Sequence, residues 1–197
     1  MSSFGQLLAS PGVSERVELA GPFGVLAFHG GLEGGTAEVA EAVAHRSGAS
    51  LYQVVQPGSL LWHIPSHRVD PADSPSLAAF LDHVQFAMAI HGYGRFDRPR
   101  DVLLGGRNRA LARHVATHLR QHLAGFRVID NMADVPVEMR GLHHDNPVNR
   151  PAGTGVQVEL PPLVRGASPR AADRGQPCVP RPELVEGLAA AAATWTG

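Results

Sequence analysis

The sequence contains no lysine and one cysteine, Cys178. A lone cysteine excludes an internal disulfide and a thiolate metal cluster. The 17 basic residues are all arginine and are balanced by 18 acidic ones, which leaves a net charge of −1. Nucleic-acid binding through a broad basic footprint would need an excess that is missing. No apolar run approaches the roughly 20 residues of a membrane span. The opening stretch "MSSFGQLLASPGVSERVE" has neither a basic start nor a long apolar centre, so no secretory leader is expected. The expectation is a soluble, cytoplasmic protein.

What is present is a chain of 197 residues with 44% hydrophobic content, enough for one domain with a sizeable core. Histidine is frequent, at eleven residues, and so invites a search for metal ligands. The spacing predicts short strands at Phe23–Phe28, Leu51–Gln56, Val84–Ile90, "DVLLGG", "FRVID" and "GVQVELP". It predicts helices at Thr36–Ser47, from Ser74-Pro75 to about His83, at Arg107–Leu123 and from Pro182 to Trp195. Thr36 and Ser74 are the expected N-caps, and Gly48 and Gly125 the expected C-terminal stops. Residues 131–154 read as a long loop. Residues 166–182 read as an irregular connector between a core of about residues 22–165 and the last helix. Strands alternate with helices, which predicts a single α/β domain, a three-layer sandwich around a mostly parallel or mixed, twisted sheet.

In such sheets ligands gather where strands end at their carboxyl side. His29 ends one predicted strand, His91 ends another, and Glu159 lies near the end of a third. In the segment "FHGGLEGGT", four glycines surround Glu33, and their backbone freedom lets His29 and Glu33 turn toward one point. Catalytic zinc uses three N or O ligands and an open position, which His29, Glu33 and His91 satisfy chemically. The alternative is a glycine-rich turn with a polar histidine and a surface glutamate. Along "VQVELP", Val156, Val158 and Leu160 face one way, and Gln157 and Glu159 the other. A carboxylate on a central strand fits a general base beside an activated water; on an edge strand it is merely solvated.

The ordered set "HGGLEGGTAEVA", "LWHIPSHRVDP", "MAIHGYG", "NPVNRP" and "GVQVELP" resembles the phage-type poly-γ-glutamate hydrolases, relatives in fold of the zinc carboxypeptidases. The resemblance spans roughly residues 22–165. It implies a zinc-carboxypeptidase-like fold and Zn2+ held by His29, Glu33 and His91. It also implies Glu159 as general base and Asn149 with Arg150 as a clamp for substrate carboxylate or oxyanion. The loop carrying His67 would edge the site, with His67 either supporting a ligand or meeting substrate; Tyr93, two residues past His91, either contacts substrate or packs. Zinc carboxypeptidases usually leave two residues between the first His and the Glu, and phage-type members often four; this chain leaves three. Its loop must therefore close differently, with Glu38 or a water as substitute ligand should Glu33 point away.

The implied reaction is hydrolysis of γ-glutamyl amide bonds in a polymer or peptide; Arg68, Arg95, Arg107 and Arg109 could line its cleft but each reads first as a solvated surface charge. A zinc amidohydrolase of small N-acyl amino acids or of cell-wall γ-glutamyl peptides fits the same residues. So does a non-catalytic binding protein of the same fold. His114, His118 and His122 share one face of a predicted helix beside its apolar stripe and read as a half-exposed row rather than a metal site. His143 and His144 read as loop surface residues, with one of them a candidate to line the cleft because the loop leads to Arg150. Oligomeric state is not legible.

Overall fold

The computed structural model describes residues 3–168 and 178–197. Part of the expected 166–182 connector therefore lies outside the described residues. Strands β1 (Ser14–Glu18), β2 (Gly21–Gly30), β3 (Ala49–Val55), β4 (Phe86–Gly92), β5 (Asp101–Leu104), β6 (Arg127–Ile129) and β7 (Gly155–Leu160) form one sheet. Their order is β1-β3-β2-β4-β7-β5-β6. The run β3-β2-β4-β7 is parallel. Strand β1 joins it antiparallel at one edge, and β5 antiparallel at the other, with β6 parallel to β5. The sheet is thus mixed, with its parallel part in the middle.

Helices cover both faces. On one face, α2 (Thr36–Ser47), α4 (Arg109–His122) and α5 (Pro182–Thr194) pack on Val25, Ala27, Met88, Ile90, Val156, Val158 and Leu160. On the other, α1 (Phe4–Leu8) and α3 (Pro75–His83) pack on Leu26, Phe28, Tyr52, Val54, Ala87 and Ala89. Odd and even positions of β2, β3 and β4 enter different cores, as the two-residue strand period requires. Two strand faces buried by helices give the three-layer α/β sandwich.

Local chemistry sets the element ends. The Ser74 hydroxyl accepts from the Leu77 amide, 2.9 Å away, and Pro75 follows at the first helical position. Gly48 closes α2 in the left-handed region, at φ 72°. Two ends differ from expectation. Gly35, not Thr36, is the N-cap of α2; it sits at φ 90°, and Thr36 instead donates its hydroxyl to the Glu33 carbonyl at 2.8 Å. Helix α4 starts at Arg109 because Asn108 caps it, accepting from the Leu111 amide at 2.8 Å. Helix α1 and strand β1 were not anticipated. Strand β1 is polar and lies at the sheet edge, so hydrophobic periodicity carries little signal there. The histidine row of α4 is half-buried against α5, where His114 Nε2 lies 3.1 Å from the Ala191 carbonyl. The 131–154 loop contains two short 3-10 turns, Val137–Met139 and Pro147–Asn149.

Candidate active site

Strands β2, β4 and β7 are central neighbours, so their carboxyl ends open at one place. The register pairs His91 with Glu159 directly across the β4–β7 ladder. Both follow the alternation onto the face of Ala87, Ala89 and Gln157, away from the Val156 and Val158 core. Strict alternation would send His29 to the opposite face, with Val25 and Ala27. The β2–β3 pairing, however, shifts register between Ala27 and Gly30. Such an irregularity re-aims a side chain, and the His29 and His91 rings lie 5.1 Å apart between centroids.

The following turn brings Glu33 back over these rings. Gly31 stands at φ 80°, where a Cβ would meet the Gln56 carbonyl oxygen at 1.9 Å, so the chain passes there only without a side chain. The Glu33 amide donates to the His29 carbonyl at 2.9 Å, which closes the turn despite its unusual length. Glu33 Oε1 then lies 3.0 Å from His29 Nδ1, and Oε2 lies 3.5 Å from His91 Nδ1. Oε2 also accepts from the Gly92 amide at 2.9 Å. Glu38, the substitute considered from the sequence, is exposed on α2.

The protonation pattern of His29 is informative. Its Nε2 lies 2.8 Å from the Ile64 carbonyl, which accepts only, so Nε2 carries the proton. In the neutral ring Nδ1 is then a lone pair facing a carboxylate oxygen, an arrangement that calls for a proton or a cation between the two. Burial alone would raise the Glu33 carboxyl, but His29 and His91 outweigh it and hold Glu33 far below the usual carboxylate range. His91 is raised: burial opposes its charge, and Glu33 overcomes that. Its Nε2 is buried without a hydrogen-bond partner among the described residues. Two buried imidazoles and a carboxylate are donors of the type zinc takes, but His91 lies outside the group of ligand atoms that sit within 4.8 Å of one another.

A residue that sequence reasoning left unassigned also enters the cluster. His63 is solvent-exposed, and its ring stands 4.9 Å from that of His29. His29, Glu33 and His63 each place a ligand atom within 4.8 Å of the others. The histidine-rich loop after β3 was the available signal, but no spacing rule distinguished His63 from His67.

Glu159 is 7% exposed and accepts from Gln157 Nε2 at 2.8 Å. Gln157 is itself oriented by Asn146, whose Nδ2 donates to Gln157 Oε1 at 2.8 Å. Burial raises the Glu159 carboxyl, with His91 opposing and Glu33 adding to the rise. A carboxylate shifted toward neutrality is suited to proton transfer.

These groups line a cavity of about 820 Å³ together with His67, Tyr93, Arg140 and His143. His67 stacks near His143, with centroids 4.8 Å apart. The Tyr93 ring lines the wall, but its hydroxyl is committed to the carbonyls of Arg98 and Asp101, at 2.7 and 2.5 Å. The clamp pair is placed differently from expectation. Asn149 is buried away from the cavity; its amide donates to the Gly141 and His143 carbonyls, and its oxygen accepts from the Arg107 amide. Arg150 is exposed and faces Asp145 at 3.3 Å. It does not line the cavity; among the described residues the arginine that does is Arg140. Of the other arginines considered, Arg68 and Arg107 are exposed, and Arg109 binds the carbonyls of Leu104, Gly105 and Asp130. Arg95 lines a neighbouring cleft of about 840 Å³ that shares Val137, Glu138 and Arg140 with this cavity.

A mixed sheet between helical layers in this strand order is a carboxypeptidase-like α/β fold. A putative carboxypeptidase from Burkholderia mallei shares this fold at TM-score 0.50 and 11% identity, covering 96% of this chain and 64% of that one. The chain belongs to the poly-gamma-glutamate hydrolase family, whose model matches residues 4–170. A bacteriophage poly-gamma-glutamate hydrolase superposes with TM-score 0.72 at 24% identity, over 91% of this chain and 87% of that one. A zinc-free form of YndL gives 0.70 at 25% identity, with the same coverage. In sequence, YndL of Bacillus subtilis is 31% identical over 146 residues, which is 73% of this chain and 54% of YndL. The SPbeta prophage-derived protein YoqZ of the same organism is 28% identical over 149 residues, 75% of this chain and 49% of YoqZ. The chain thus spans about half the length of these curated relatives. No helix among the described residues is long and apolar enough to cross a membrane.

Proposed function

We propose that the protein is a zinc-dependent amidohydrolase that cleaves γ-glutamyl amide bonds, with poly-γ-glutamate or a γ-glutamyl peptide as substrate. The observation that carries the reading is the convergence of His29 Nδ1, 3.0 Å from one Glu33 oxygen, and His91 Nδ1, 3.5 Å from the other, with His29 Nε2 held 2.8 Å from the Ile64 carbonyl. His29, Glu33 and His91 would hold the ion. His91 is preferred to His63 as third ligand because it is buried, rests on a strand end and carries an unpartnered nitrogen. Exposed His63 suits contact with substrate.

Zinc bound there would polarise the scissile carbonyl and lower the pKa of a coordinated water to about 7. Glu159 accepts a proton from the attacking water and returns it to the leaving amine. Asn146 and Gln157 hold its carboxylate still while it does so. Arg140 takes the substrate-carboxylate role that the motif order assigned to Arg150, because it lines the cavity; its Nε donates to the Val135 carbonyl at 2.9 Å, which leaves the two terminal nitrogens for a carboxylate. His67 and Tyr93 shape the walls.

The test is metal analysis of the purified protein followed by incubation with poly-γ-glutamate, read as chain shortening and new amine ends. Stoichiometric zinc and EDTA-sensitive cleavage are expected. Cleavage that EDTA leaves intact, or none by zinc-loaded protein, overturns the reading.

A further inference from the structure

Arg165 is the one buried arginine among the described residues, at 6% exposure. It forms no ion pair with any described residue; three carbonyls surround it instead. Nε donates to Leu160 at 3.3 Å, one terminal nitrogen donates to Tyr93 at 3.2 Å, and the other donates to Gly34. Each carbonyl belongs to a different segment, and each segment carries a proposed ligand or the proposed base. Gly34 follows Glu33, Tyr93 stands two residues beyond His91, and Leu160 follows Glu159. Arg165 itself does not line the cavity.

We propose that Arg165 is a positioning residue whose guanidinium locks the Glu33 turn, the His91 strand end and the Glu159 strand end into one geometry. The inference rests on the zinc amidohydrolase reading above. A guanidinium is a rigid plane with donors pointing in fixed directions, so three acceptors bound to it are fixed relative to one another. An ammonium is a single point on a flexible stem and cannot span them. A buried cation also needs its donors satisfied, so the three carbonyls are held as firmly as they hold it. The surroundings leave no slack. A Cβ on Gly92 would stand 2.6 Å from the guanidinium carbon, and one on Gly35 2.3 Å from the Arg165 carbonyl oxygen. Gly92 is the residue whose amide donates to Glu33, so the guanidinium packs directly behind the contact that joins two candidate ligands.

The experiment compares wild type with Arg165→Lys and Arg165→Ala in the full chain. It measures zinc affinity by competition with a chelating indicator, the absorption spectrum of the cobalt-substituted protein, and kcat and KM at saturating zinc. Far-UV circular dichroism reports folding. Supporting residues around metal ligands typically cost about 10–100-fold in affinity when removed. Both variants are expected to remain folded, to bind zinc weaker by about that factor, to show an altered cobalt spectrum, and to lose kcat at unchanged KM. Added guanidinium ion is expected to restore part of the zinc affinity of Arg165→Ala and none of that of Arg165→Lys. Unchanged zinc affinity and cobalt spectrum in Arg165→Lys would overturn the inference while leaving the hydrolase reading in place. So would unfolding of Arg165→Lys, which would make Arg165 a determinant of the fold. A wild type that binds no zinc would overturn the hydrolase reading, and this inference with it.

Discussion

Replacing Glu159 by Gln tests the chemistry with little change in shape. The carboxylate is buried, and it accepts one bond from Gln157 at 2.8 Å. A glutamine side chain offers an amide oxygen to the same donor, so the Asn146–Gln157 relay can remain. What disappears is the capacity to take a proton. A general base contributes typically about 10²–10⁴ in rate, or roughly 2.7–5.4 kcal/mol at about 1.36 kcal/mol per decade. Stability should move by no more than about 1 kcal/mol, the net value of one ordinary hydrogen bond. Its sign should lean toward stabilisation, because burial already disfavours the ionised carboxyl. KM should hold, since the cavity wall keeps its shape. The assay pairs zinc content with initial rates on a γ-glutamyl polymer at saturating substrate. A variant with undiminished zinc that retains kcat to within about tenfold of wild type, well short of the loss expected for a general base, would remove Glu159 from that role.

Three further outcomes are expected. His91→Ala should lose zinc by more than the roughly 10–100-fold that a supporting residue costs, whereas His63→Ala should keep it and chiefly raise KM; the reverse pattern in equilibrium dialysis would make His63 the third ligand. Burial, reinforced by Glu15, raises the Tyr52 phenol in the folded protein. The unfolded chain ionises near pH 10 while the folded one does not, so this contribution is complete below pH 10 and is lost as pH rises above it. Tyr52→Phe should flatten the alkaline fall of the melting temperature, and an identical fall in both proteins would contradict the assignment. Ser74→Ala removes the α3 cap and a donor to Glu15. It should cost about 1 kcal/mol in urea unfolding, and no loss would mean that the cap bond is not formed in solution.

Much of this protein was legible from the order of its residues. The two-residue alternation of "VQVEL" placed Val156, Val158 and Leu160 in one core and Gln157 with Glu159 on the other face, because strand period is a local property. Ser74-Pro75 and Gly48 marked helix ends for equally local reasons. Turn closure was partly legible. Glycines signalled that the chain could bend between His29 and Glu33, but the left-handed Gly31 and the crowding of Gln56 against it emerge only when β2 and β3 are paired.

Other features depend on segments far apart in sequence. The register shift that turns His29 toward His91 arises in the β2–β3 pairing and leaves no mark on the strand's own pattern. Arg150 stood in the expected motif, but Arg140 reaches the cavity because the Val137–Met139 turn folds over the strand ends. His63 enters the cluster through the loop after β3, and Arg165 reaches one turn and two strand ends from a stretch with no periodicity. Local spacing determined which residues could face a common core. Long-range pairing decided which polar groups converge, because burying each of them requires a partner that only the assembled sheet supplies.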